Sequence, residues 1–385
     1  MTERLYYHDA YAREFQADVI EVNGTIAYLD RTAFYPASGG QPFDIGALGS
    51  ARVEEVIDEE DRIAHKLDRP VAVGPITGRI DWGRRFDHMQ QHTGQHLLSS
   101  VFEELFDMRT LSFHMGAEVS TIELGTPTLA AAQTIAVERR ANELIAENRE
   151  VEVTFEEAPE GLRKASEREG TLRIVAIADL DRSACGGTHV RRTGEIGSIL
   201  TRKMEKVRGN VRIEFVAGLR AVARSRAEFE ALTAVAKSYS CSIDEAPRMA
   251  AANVERVAEL DKARRKMAGE LAAFEGVALH AATPESAGGI RRAVRNGTIT
   301  EETRAFANAF TAAGKSALLW LCEDPPSFLL AVSKDSGLNA GVIVKQAVAE
   351  VGGRGGGSPQ SAQGSAPSKD GLAQVETRIT TQWLS

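Results

Sequence analysis

The sequence is poor in cysteine, with Cys185, Cys241 and Cys322 the only three in 385 residues. Three scattered thiols build no disulfide framework. They fit a reducing compartment, so a cytoplasmic protein is expected. No apolar stretch reaches the roughly 20 residues that span a bilayer, so a membrane partner is not expected. The N-terminal MTERLYYHDAYARE has neither an apolar core nor a cleavage-site pattern and does not read as a secretory signal. Excess positive charge is also lacking. The formal net charge is -8, which argues against a blanket electrostatic nucleic-acid binder. One local exception runs from Arg191 to Arg226, where ten Lys/Arg stand against three Glu. Charge alone assigns that stretch to an ordinary solvated surface. The HExxH signature is absent, because Thr93 occupies the place of the protease glutamate. No GK[ST] follows the glycine-rich stretch near the C-terminus. Neither a protease of that type nor a Walker-type nucleotide site is expected. No internal repeat is visible.

What is present divides the chain into four regions. Residues 1–84 read as a small β-barrel domain. VIEVNGTIAYLD suggests two strands with a turn at Asn23-Gly24, and RIAHKLD and ITGRIDW suggest further strands. From Arg85 the apolar period changes. Phe86, Met89, Leu97, Val101, Phe102 and Leu105 suit one buried helical face. A second helix is expected within TLAAAQTIAVERRANELIAENR, strands in VEVTF and LRIVAIADL, and a hairpin turning near Gly209-Asn210, which makes residues 85–220 an α+β domain. Residues 221–275 are rich in Ala, Glu, Arg and Lys and read as a helical linker, interrupted at CSID and Pro247. Residues 276–385 read as an α/β domain, with SALLWLCE and FLLAVSK as strands and NAGVIVKQAVAEV as a helix. The fold class expected is therefore multidomain α+β: an N-terminal β-barrel, an α+β metal-binding domain, a helical linker and a C-terminal α/β domain.

Three stretches carry chemistry. QHTGQH places His92 and His96 four residues apart on an expected helix, one turn apart on one face. Some ninety residues later SACGGTHV supplies Cys185 and His189, with two glycines between them that free the backbone to curl. Each half alone is a weak signal. Together they make a tetrahedral zinc set, with expected Zn–N distances of roughly 2.0–2.1 Å and Zn–S of roughly 2.3 Å. Spacing alone leaves His88, one turn before His92, open as a ligand. The second stretch is AFYPASGGQPFDIG, where paired glycines allow a close approach of backbone to a ligand or to another domain. From composition alone a tight barrel turn with an aromatic plug is the better reading. The third, GGRGGGSPQSAQG, could cradle phosphate through backbone N–H groups helped by Arg354, although its composition reads as a flexible linker.

FYPASGGQP, HTGQH, CGGTHVRRTGEIG and GGRGGGSPQSAQG, in that order, resemble the editing half of alanyl-tRNA synthetases. They look most like the freestanding editing family called AlaX in its long form, whose C-terminal part is similar to the DHHA1 domain shared with DHH phosphoesterases. The resemblance implies a hydrolase that removes serine or glycine wrongly attached to tRNA(Ala), with Zn2+ as cofactor. His92, His96, Cys185 and His189 become its ligands. Thr32 falls where the family places a threonine in the amino-acid pocket. SFHMG lies where the family has an active-site polar residue, which makes His114 a candidate. Gly39, Gly40 and Gln41 border the pocket, and Arg354 belongs to the RNA-contacting motif. Ala37 stands where many synthetase relatives have an acidic residue, and Ser358-Pro359 where Arg-Pro is usual. Only about thirty residues precede FYP and nothing resembles an ATP site, so charging of tRNA is not expected. Family habit implies dimerisation through the C-terminal domain. Four protein ligands describe a closed metal site whereas catalysis wants an open position, so the sequence leaves both a catalytic and a structural zinc open. A tRNA-binding protein with a structural zinc is the alternative.

Overall fold

A computed structural model of the chain describes residues 1–164, 170–286 and 288–382. The chain divides into two compact units, Met1–Ala234 and Val235–Ser385.

The first unit opens with a closed barrel of six strands. Around it run Glu14–Asn23, Ile26–Leu29, Ile63–Leu67, Ala51–Asp58, Gly46–Leu48 and Gly74–Ile80, all neighbours antiparallel. Inward residues such as Val19, Leu29, Phe34, Leu48, Val56 and Ile63 fill it. The first hairpin turns one residue later than the sequence suggests. Asn23 pairs with Ile26, so Gly24 and Thr25 are the loop, and Gly24 takes the left-handed conformation (φ 61°) that this turn requires.

After the barrel comes helix α1, Trp82–Phe106, opened by Asp81, whose side chain accepts from the Arg84 N–H. The period read from sequence is right for Met89, Leu97, Val101 and Phe102, but Leu105 is 40% exposed and Leu98 is buried. The helix is not one-faced. It is enclosed on every side from His88 to Phe102, polar residues included. Gln91 explains how this is tolerated: its amide bonds both the N–H and the C=O of Ala217. One wall is an antiparallel sheet in the order Ile199–Val207, Asn210–Ala217, Ser120–Leu124, Thr110–Met115. Helix α2, Ala131–Ala146, also packs against α1. A separate three-stranded sheet, Val151–Glu156, Leu172–Ile177 and Asp181–Ala184, delivers the chain to Cys185. The hairpin expected near Gly209-Asn210 turns on Arg208 and Gly209, both at positive φ.

The helical stretch is two helices, α3, Leu219–Ser238, and α4, Ala246–Ala282. CSID lies between them, but Pro247 does not interrupt: it sits in the first turn of α4, where its missing N–H costs nothing. In the second unit a five-stranded sheet runs Arg291–Asn296, Ser316–Glu323, Pro326–Val332, Ser361–Ser365, Arg354–Gly357, with only the first pair parallel. Helices α5, Glu301–Ala312, α6, Ala340–Val351, and α7, Lys369–Gln382, complete it. The glycine-rich stretch is thus a paired hairpin and not a flexible loop. Its glycines serve close packing: a Cβ on Gly364 would stand 2.5 Å from the Phe328 ring. Among the described residues no helix is long and apolar enough to cross a membrane.

Candidate metal centre and substrate cavity

The buried helix α1 presents His92 and His96 on one face. The strand Asp181–Ala184 ends beside them, and the Gly186-Gly187 turn returns His189 to the same point. One donor atom from each of His92, His96, Cys185 and His189 lies within 4.8 Å of every other. Cys185 Sγ stands 3.5 Å from His92 Nε2 and 3.3 Å from His189 Nε2. The turn is tight enough to dictate its sequence, because a Cβ on Gly187 would lie 2.1 Å from His92 Cε1.

Each imidazole is held from behind through Nδ1. His92 Nδ1 donates to Gln41 Oε1 at 2.8 Å and His96 Nδ1 to Asp181 Oδ2 at 2.8 Å, and His189 Nδ1 shares a hydrogen bond with the Thr93 hydroxyl at 3.1 Å. Gln41 is itself locked, accepting the Thr188 N–H at 3.0 Å and donating to Thr188 Oγ1 at 2.8 Å. Asp181 is shared with Arg163, whose Nε donates to Oδ1 at 2.7 Å. The acceptors Gln41 and Asp181 keep a proton on Nδ1 of His92 and His96 and turn Nε2 toward the cluster, the arrangement found behind metal-bound histidines. Burial alone would raise the Cys185 thiol. The facing His92 and His189 rings outweigh it and hold the thiol well below its ordinary value. For His96 burial acts downward, and the Asp181 carboxylate and Cys185 reverse it, raising the imidazole to about 9. The donor set, its burial and its supporting shell fit a tetrahedral zinc ion.

A cavity of about 750 Å3 opens onto this cluster, walled by Tyr7, Tyr35, Gly39, Gln95, Phe113 and Arg163 among others. The FYP loop reaches it because Arg85 and Asp44 form a buried ion pair, and Asp44 also accepts the Tyr35 N–H at 2.7 Å. Gly40 presses against the neighbouring strand: the Met115 N–H donates to Gly40 O, and a Cβ there would meet Phe113 O at 2.9 Å.

The remaining sequence candidates fall elsewhere. Thr32 is fully buried, and its Oγ1 is committed to His65 Nε2 at 2.9 Å and to the Phe34 N–H at 3.1 Å. It does not line the cavity. His114 is exposed and does not line it either. Its neighbour Phe113 stacks on His92 with ring centroids 5.4 Å apart, and successive residues of a strand face opposite ways. Arg354 is exposed on the edge strand of the second unit's sheet. His88 is buried with Nδ1 unpartnered among the described residues, outside the four-donor group. Burial, followed by the cations Arg84 and Arg220, lowers it to about 3. Sequence reasoning missed Asp181, Arg163 and the role of Gln41 behind His92. Thr93 had a signal, since it lies inside HTGQH.

Comparison with known proteins agrees with these motifs. Residues 172–214 match the family described as the threonyl and alanyl tRNA synthetase second additional domain, and residues 287–382 match the DHHA1 domain. The alanyl-tRNA editing protein AlaX-L of Pyrococcus horikoshii is 29% identical over 96% of both chains. The alanyl-tRNA editing protein Aarsd1 of Mus musculus is 31% identical over 68% of both. An alanine–tRNA ligase of Methanoregula boonei is 33% identical over 96% of this chain, which spans only 42% of that ligase. With the four-donor cluster at the base of a cavity and similarity along almost its full length, the chain belongs to the alanyl-tRNA editing protein family.

Proposed function

We propose that the protein hydrolyses, in the cytoplasm, the ester that joins serine or glycine to the 3′ end of tRNA(Ala). The observation that carries this is the His92, His96, Cys185 and His189 cluster at the floor of a cavity walled by aromatic and cationic side chains. Bound there, zinc supplies Lewis-acid polarisation of a carbonyl and ties two distant segments together. Gln41, Asp181 and Thr93 hold the three imidazoles toward it. Phe113 stacks on His92 and Tyr35 lines the same cavity, while Arg163, paired with Asp181, lends the wall a cationic side chain. The domains we assign to this activity are a barrel of residues 1–84, an editing domain of 85–220, a helical linker of 221–275 and a DHHA1-like domain of 276–385. The last is also the surface proposed for dimerisation, which light scattering reads directly.

A second reading is favoured by one feature. Four protein donors complete a tetrahedron, as in a tRNA-binding protein whose zinc only holds the fold. Hydrolysis of seryl-, glycyl- and alanyl-tRNA(Ala) by the zinc-loaded protein decides between them. Release of serine and glycine with alanine spared supports editing, and binding without release supports the alternative.

A further inference from the structure

Between the two helical donors sits Gln95, a buried amide that the metal centre does not use. Its Nε2 donates to Ser99 Oγ at 2.8 Å, one turn further along α1. Ser99 is fully buried and also receives the Thr110 hydroxyl at 2.7 Å, so the amide is anchored from the far side of the cavity wall. Gln95 lines the cavity, and with Nε2 turned to Ser99 its Oε1 meets no donor among the described residues. A fixed acceptor beside a metal-capable cluster, left unpaired in a sheltered site, awaits a donor from the ligand.

We propose that Gln95 Oε1 receives the α-amino group of the aminoacyl ester, making Gln95 a substrate-binding residue. The inference rests on the hydrolase reading above and extends it. An amine bears N–H donors whether protonated or neutral, and it is common to serine, glycine and alanine, so the contact holds the amino acid without selecting among them. One acceptor therefore grips both substrates, which a group reading the serine hydroxyl could not do. The same contact anchors the amino acid by an end that does not react, so that its ester carbonyl faces the four-donor cluster.

The test uses binding rather than turnover. The probes are 3′-deoxy-3′-(glycylamino)adenosine and its propionyl counterpart, in which a methyl replaces the amine. Both are amides and resist hydrolysis. The full-length zinc-loaded protein should bind the glycyl compound about tenfold or more tightly than the propionyl compound, the scale of one hydrogen bond to a charged group. Gln95→Met, similar in length but without the acceptor, should bring that ratio near one while leaving propionyl affinity and zinc content unchanged. Ser99→Ala, which releases the amide from its anchor, should narrow the ratio partway. Equal affinity of the unaltered protein for both compounds overturns the inference, as does a ratio that survives Gln95→Met. Release of serine from seryl-tRNA(Ala) by the same preparation, measured in parallel, separates failure of this inference from failure of the hydrolase reading.

Discussion

Two buried histidines rest against threonine hydroxyls, and only one of them belongs to the metal-capable cluster. His189 meets Thr93 Oγ1 through Nδ1, so its Nε2 is left facing Cys185. His65 meets Thr32 Oγ1 through Nε2 and the Ala27 carbonyl through Nδ1, so nothing is left over. The residue pair is the same, and the count of free ring nitrogens decides the outcome. A histidine satisfied on both sides is a core residue, whereas one satisfied on a single side, facing a thiol and two other such rings, is a ligand in waiting.

The contrast is broken most severely by Cys185→Ala. Metal content should fall from about one zinc per chain toward none, and seryl-tRNA(Ala) hydrolysis should fall with it, whereas His65→Asn should leave zinc content intact. Elemental analysis of both purified variants checks this. Asp181→Asn removes the charge behind His96, and zinc affinity should weaken by roughly 10- to 100-fold, as for other supporting groups. Competition with a chromogenic chelator measures it. Unchanged affinity would show that the Asp181–His96 contact is structural only.

His65 provides a test by pH. Burial, only partly opposed by backbone hydrogen bonds, lowers it to about 4 from an ordinary value of 6.5. The folded protein therefore keeps it neutral where the unfolded chain takes up a proton. Its contribution to stability is complete above pH 6.5 and is lost progressively as pH falls toward 4. Between pH 7.5 and pH 5 the loss is roughly 2 kcal/mol. Denaturant melts across that range should show the slope, and His65→Asn should reduce it by about that amount, leaving the part due to other buried histidines such as His88.

The smallest effect on editing is expected from Thr32→Val. It leaves His65 Nε2 unpaired in the barrel core, at a cost of about 1–3 kcal/mol in stability. The ratio of serine to alanine release should not move, because the hydroxyl does not reach the cavity. A shifted ratio would return Thr32 to the pocket.

These contrasts show where the sequence was readable. The i,i+4 histidines and the CGGTH turn announce themselves because each pair is local, and the helix geometry of one and the glycines of the other make the direction of the side chains legible. The barrel was legible from turn residues and alternation. Gln41 and Asp181 were not legible as partners, because each reaches its histidine across a long stretch of chain, 51 residues in one case and 85 in the other. The partner of Thr32 was hidden for a related reason: its hydroxyl meets His65, 33 residues on, and only the folded barrel brings them together. The glycine-rich C-terminal stretch misled by composition. Gly357 pairs with Ala362 in a ladder, and the small residues there reflect crowding and not mobility.

The enclosure of α1 bears on how the centre is assembled. His92 and His96 belong to a rod whose backbone is shielded through four turns, so their amide protons should be among the slowest in the unit to exchange with deuterium. Cys185 and His189 stand on a turn outside any helix or strand, held mainly by side chains such as Gln41 and Thr93. Stripping the ion should thus loosen one half of the centre and leave the other standing. Protection should drop around residues 185–189 and persist around 92–96, so the empty protein keeps a rigid two-pronged receptor for the returning metal.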